Sequence, residues 1–207
     1  MEDEFEKRIV ELQSRKFSIR VIGSPKQGKS CFLPLKELAL SGDDWVKWLC
    51  DSPRYADQCE WHKLNGQNFA ALLAKQPQYA DKCDWGKLGG NDWVSLLIEQ
   101  PQFADKCDWS KLNGSDWCRL LLCKPQLADN CDWTKLKGEQ IAKLLRFRPQ
   151  FADRCDWTSV NGTQLSRLLR IRPEFADICV LARLTEKQWA FLLQRRPQLA
   201  SRRAPSN

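Results

Sequence analysis

Gly23-Ser24-Pro25-Lys26-Gln27-Gly28-Lys29-Ser30 fits G-x-x-x-x-G-K-[ST], the loop whose backbone N–H groups cradle nucleotide phosphates while its lysine reaches the outer ones. It follows Phe17–Ile22, where Phe17, Ile19 and Val21 alternate as in a strand. Gly23, Gly28, Lys29 and Ser30 are therefore the nucleotide-binding candidates. Two features weigh against them. A P-loop helix runs unbroken from its lysine, whereas Pro34 would remove a hydrogen bond to Ser30 and crowd its carbonyl. A P-loop domain also needs a parallel sheet and an acidic strand to hold its metal, and the chain beyond Asp43 is committed to something else. The segment is read as a turn that imitates the motif, and no cofactor is expected.

Ten cysteines raise the questions of disulfides and zinc. Cys59, Cys83, Cys107, Cys131, Cys155 and Cys179 recur every 24 residues. In stacked helical layers about 8–10 Å apart they would sit too far from one another for disulfides. Zinc needs four convergent ligands, but there is no C-x-x-C and His62 is the only histidine. These six are expected to be small buried hydrophobes in a reducing compartment, with no metal. Cys31, Cys50, Cys118 and Cys123 follow no ladder and are candidates for exposed thiols.

Carboxylates recur in the same way. Asp57, Asp81, Asp105, Asp129, Asp153 and Asp177 form one series, and Glu60, Asp84, Asp108, Asp132 and Asp156 another. Paired carboxylates can do acid–base work, but catalysis needs one site and not one per unit. Capping of helix starts and turns is the expected role, and no catalytic residue is assigned.

These series come from one repeat. Prolines stand at Pro53, Pro77, Pro101, Pro125, Pro149, Pro173 and Pro197, and the unit they open reads P-Q-[FYL]-A-D-x-C-D-W-x-x-L-x-G-x-x-[FWIL]-x-x-L-L-x-x-x. Counting each Pro as position 1, the six units are 53–76, 77–100, 101–124, 125–148, 149–172 and 173–196. Pro at a first helical position opens one helical segment, and Asp108 should cap the turn Asp108-Trp109-Ser110-Lys111-Leu112. Gly114 should end that turn in a left-handed conformation, with Ser115, Asn91 or Thr163 capping the next helix. That helix carries apolar Trp117, Leu120 and Leu121 at i, i+3, i+4 until the next Pro stops it. Trp61, Trp85, Trp109, Trp133 and Trp157 are expected as core spacers, and Lys111 as a solvent-exposed position.

No unit of this length can bury its own apolar face, so units must stack. The expected fold is all-α: a right-handed α-solenoid, with one segment of each unit open to a 3₁₀ form. Residues 40–52 match the second half of a unit, 1–39 read as a helix and strand-like cap with Phe5, Ile9 and Leu12 on one face, and 197–207 is a polar tail. Units such as Pro101-Gln102-Phe103-Ala104-Asp105-Lys106-Cys107-Asp108-Trp109 resemble the tandem repeats of uncharacterised bacterial proteins. In period they are similar to the leucine-rich variant repeats, which alternate α and 3₁₀ helices. The resemblance implies at most a recognition surface, and no enzymatic activity.

Function is then sought where the units differ. The formal charge of +7 is lopsided: residues 1–100 carry 14 Lys+Arg against 15 Asp+Glu, and residues 101–207 carry 19 against 11. Position 24 runs Gln76, Gln100, Lys124, Arg148, Arg172, Arg196, while position 19 supplies Arg119, Lys143 and Arg167 and position 22 supplies Arg146 and Arg170. Together they make a basic strip along units three to five. A non-enzymatic scaffold is expected, binding through Arg119, Lys124, Lys143, Arg146, Arg148, Arg167, Arg170 and Arg172 to a protein with an acidic surface, or alternatively to nucleic acid. Mean hydropathy of −0.54, no apolar run of about 18 residues and an acidic N-terminus argue for a cytoplasmic protein away from membranes. A monomer is favoured, with nothing that fixes the oligomeric state.

Overall fold

The computed structural model describes residues 40–179 and 181–202. The P-loop-like segment and Cys31 lie outside them, as do the remainder of 1–39, Val180 and 203–207. The described residues contain α- and 3₁₀-helices and no strand. Seven α-helices follow one another at the repeat period: α1 (Gly42–Asp51), α2 (Gly66–Lys75), α3 (Gly90–Glu99), α4 (Gly114–Cys123), α5 (Gly138–Phe147), α6 (Gly162–Ile171) and α7 (Glu186–Arg195). Between them run two 3₁₀ segments, a Pro-led one such as Pro101–Lys106 and a three-residue Trp-led one such as Trp109–Lys111. The chain divides into two compact units, one ending at Asp84 and one beginning at Trp85. In the first, α1 packs on α2; in the second, α3 to α7 pack each on the next, an all-α solenoid arrangement.

The asymmetry of the repeat has local causes. Pro101, Pro125 and their equivalents cannot continue the preceding helix, so it closes with the N–H of the residue before Pro donating to the position-20 carbonyl, as from Lys124 to Leu120 at 2.7 Å. Burial then selects one face of each α-helix. Trp117, Leu120 and Leu121 are fully buried, as are Trp93, Leu96 and Leu97 one repeat earlier and Ile141, Leu144 and Leu145 one repeat later. Leu112 and Leu136, closing the Trp-led turns, complete the core. Among the described residues no helix is long and apolar enough to cross a membrane.

Several expectations for the joints are corrected. Gly114 is the first residue of α4 and not a left-handed turn end; Asn113 is the N-cap, its side chain accepting from the N–H groups of Ser115 and Asp116. Asn161 caps α6, accepting from the Gln164 N–H, and Gly89 precedes α3, so neither Ser115, Asn91 nor Thr163 is a cap. Glycine is needed at this position for close approach. A Cβ on Gly90 would lie 2.5 Å from the Lys111 carbonyl oxygen, and one on Gly114 would meet the carbonyl of Lys135. The glycine lets the next repeat's Trp-led turn rest against the helix start.

The carboxylate series divide. Asp108, Asp132 and Asp156 cap their turns as expected, each accepting from the N–H and hydroxyl of the residue two positions on. Those side-chain bonds hold their carboxyls below the usual range. The other series caps none of the described helices: Asp81 and Asp105 pair with the adjacent lysine, and Asp129 pairs with Arg154 of the next repeat at 2.8 Å. The ladder tryptophans are half-buried and not core spacers. Trp85 and Trp109 stack on Trp93 and Trp117, and Trp133 and Trp157 meet Phe151 and Phe175 of the following Pro-led segment.

Candidate functional site

A surface that could hold a partner must offer groups the fold itself does not use. The eight strip residues therefore separate by what they touch. Position 24 is engaged in units one, four, five and six. Arg148 donates from Nε and Nη2 to the Leu122 carbonyl at 3.1 and 2.6 Å, and Arg172 from Nε to the Arg146 carbonyl at 3.2 Å. Arg196 does the same to Arg170, and in the first unit Gln76 donates to Cys50 at 3.2 Å. Each acceptor is among the last four carbonyls of an α-helix, which have no intrahelical donor. In these units position 24 supplies a donor to the C-terminal end of the preceding repeat's helix, where a cation is favoured by the helix dipole.

Arg119 is also held, donating to Asn91 Oδ1 at 2.6 Å and Ser95 Oγ at 2.9 Å of the preceding helix. Lys143, Arg146 and Arg167 are exposed and Arg170 is half-buried, on the outer faces of α5 and α6. Position 19 lies across the helix from the buried Leu pair and position 22 one turn further on, so both face outward. Among the described residues no carboxylate pairs with any of these four. Arg146 lies over the ring of Phe147 at 5.2 Å, and Arg170 reaches Phe191 of the next helix at 5.4 Å. Lys124, half-buried before Pro125, completes the strip.

Lys111 is not the solvated residue expected. Its ammonium donates to the carbonyls of Gly86 and Leu88 in the previous repeat at 2.8 and 2.9 Å. Lys135 repeats the bond to Ser110 and Leu112, and Arg183 to Thr158 and Val160. Position 11 is a tie between repeats, signalled in the sequence only by Lys or Arg at Lys63, Lys87, Lys111, Lys135 and Arg183.

All nine described cysteines are free, and of the ladder only Cys59 is fully buried, the others being half-buried. Burial pushes the thiols of Cys59, Cys107, Cys131 and Cys155 up to about 12 and that of Cys179 to about 11. Cys118, a candidate exposed thiol, is buried against α5, whereas Cys123 is exposed. Among the described residues no group of three His, Cys, Asp or Glu side chains could hold a metal ion.

A scan against protein-family models finds no match, and comparisons with curated proteins and with solved structures find none either.

Proposed function

We propose that this chain is a non-enzymatic recognition scaffold that binds an acidic protein surface through the outer faces of α5 and α6. The observation that carries the proposal is the set of four cations, Lys143, Arg146, Arg167 and Arg170, that no described carboxylate neutralises. A stacked helical array presents such groups at a regular spacing, which suits an extended partner. The period of 24 and the alternation of α and 3₁₀ helices support placing the repeat with the leucine-rich variant type. The free thiols suit a reducing compartment such as the cytoplasm, with the chain acting as a monomer.

The test measures binding of a fluorescent poly-glutamate peptide to the full chain and to a variant carrying Arg146→Gln, Arg148→Gln, Arg170→Gln and Arg172→Gln. Glutamine at position 24 keeps an N–H donor for the helix end, as Gln76 does, so folding should persist. Binding should be present at low salt, fall as salt is added, and weaken in the variant mainly through association rate. Equal binding by both proteins would show that the strip is a solvated face. Nucleic acid is the second reading, favoured by the exposed ring of Phe191 beside the strip. It requires a log–log salt slope that shrinks by about 0.7–0.9 per lost phosphate contact.

A further inference from the structure

Position 23, the last residue of each α-helix, reads Lys75, Glu99, Cys123, Phe147, Ile171 and Arg195. It becomes large and apolar in units four and five alone, the two units where positions 19 and 22 are both basic. The fold does not bury these side chains, because the Leu pairs of α5 and α6 occupy the core face. Phe147 is 57% exposed and Ile171 39%, and Phe191 at position 19 of α7 is 44% exposed. Ile178, 46% exposed, is not on an α-helix but closes the Pro-led segment Pro173–Asp177. Phe147, Ile171 and Phe191 therefore lie on three successive helices that pack on one another, interleaved with Lys143, Arg146, Arg167 and Arg170.

The chemistry of this mixture discriminates between partners. A nucleic acid would use aromatic faces for base stacking. Here Arg146 already lies over Phe147 and Arg170 over Phe191, and Ile171 has no π face. Aliphatic surface, the exposed parts of the two rings and guanidiniums without a carboxylate partner remain, which match apolar side chains flanked by carboxylates. An apolar neighbour would also displace water from around the guanidiniums and strengthen their attraction for carboxylate.

We infer that the strip binds an acidic polypeptide segment whose apolar side chains seat on Phe147, Ile171 and Phe191 while its carboxylates pair with Lys143, Arg146, Arg167 and Arg170. This rests on the recognition proposed above and adds the apolar half of the ligand. Charge complementarity sets the sign of the partner, and the exposed apolar residues within the strip set its amphipathic character.

Three labelled probes, offered to the full chain at low salt, test it by fluorescence anisotropy: poly-glutamate, a Glu/Leu peptide of the same length and charge with leucines at helical spacing, and oligo-dT. The Glu/Leu peptide should bind at least about tenfold tighter than poly-glutamate, the gain expected from covering one or two exposed apolar side chains. Phe147→Ser with Ile171→Ser should abolish that preference and leave poly-glutamate binding unchanged, with circular dichroism confirming the fold. Arg146→Gln with Arg170→Gln should weaken both peptides. Equal binding of the two peptides, or a preference that survives the serine substitutions, would overturn the apolar contact while leaving acidic recognition standing. Tighter binding of oligo-dT than of the Glu/Leu peptide would overturn the partner class. No binding of any probe would overturn both this inference and the function it rests on.

Discussion

At the scale of single residues, similar side chains do different work according to what stands opposite them. Lys106 is exposed and 3.9 Å from Asp105, while Lys111 spans to two backbone carbonyls of the previous repeat. Charged hydrogen bonds to backbone carbonyls of a neighbouring repeat matter more than surface ion pairs, so Lys111→Ala should cost about 1–2 kcal/mol in urea unfolding. Lys106→Ala should cost less than about 0.5 kcal/mol. The ladder thiols follow the same logic of environment. Their folded values lie above the ordinary 9.0, so between 9.0 and about 12 the unfolded chain loses protons that the folded chain keeps. Their contribution to stability is intact below that window and declines as pH rises through it. Alkaline titration of the unfolding midpoint should show the decline, and a thiol reagent at pH 8 should label Cys123 well before Cys107.

The α-helix is the element in which most of the repeat's invariants meet. Its start needs glycine because the next repeat's turn presses a carbonyl against it, and its end needs a donor from position 24 of the next repeat. Gly114→Ala improves intrinsic helix propensity by about 1 kcal/mol, yet its Cβ would meet the Lys135 backbone. A net loss of about 1–3 kcal/mol is expected by thermal or denaturant unfolding, since backbone cannot move aside as a flexible side chain could. At the other end, Arg148→Gln should be nearly neutral because glutamine can still donate to Leu122, as Gln76 donates to Cys50. Arg148→Ala should cost about 1–2 kcal/mol by leaving that carbonyl without its donor. Equal losses from Gln and Ala would mean that charge, and not the hydrogen bond, is what the helix end uses.

For the molecule as a whole, the net charge of +7 is concentrated in the later repeats, where α5 and α6 pack together and bring Arg146, Arg167 and Arg170 into adjacent layers. Like charges about 8–10 Å apart repel within a Debye length at low salt and are screened at physiological salt. Added salt from about 0.01 to 0.15 M should therefore raise the unfolding temperature while it weakens binding of an acidic probe. Opposite responses of stability and affinity in one titration would separate the strip's strain in the free protein from its use with a partner.

The 24-residue period, the helical class of the unit, the Pro-led starts, the buried Leu pair and the capping of Trp-led turns by Asp108, Asp132 and Asp156 were legible in the chain, because they depend on contacts within a repeat. The basic character of the strip was legible too, since it is a matter of composition at recurring positions. What the chain alone could not reveal lies between repeats. Lys111 looks like any surface lysine until Gly86 and Leu88 of the preceding repeat stand beside it, and Gly114 looks like a turn residue until the Lys135 carbonyl is brought against it. Arg148 and Arg172 look equivalent to Arg146 and Arg170, and only the docking of one helix end on the next repeat assigns the first pair to the fold and leaves the second facing outward. Stacking sets these distinctions because it joins groups 23 to 28 residues apart, beyond the reach of any local pattern.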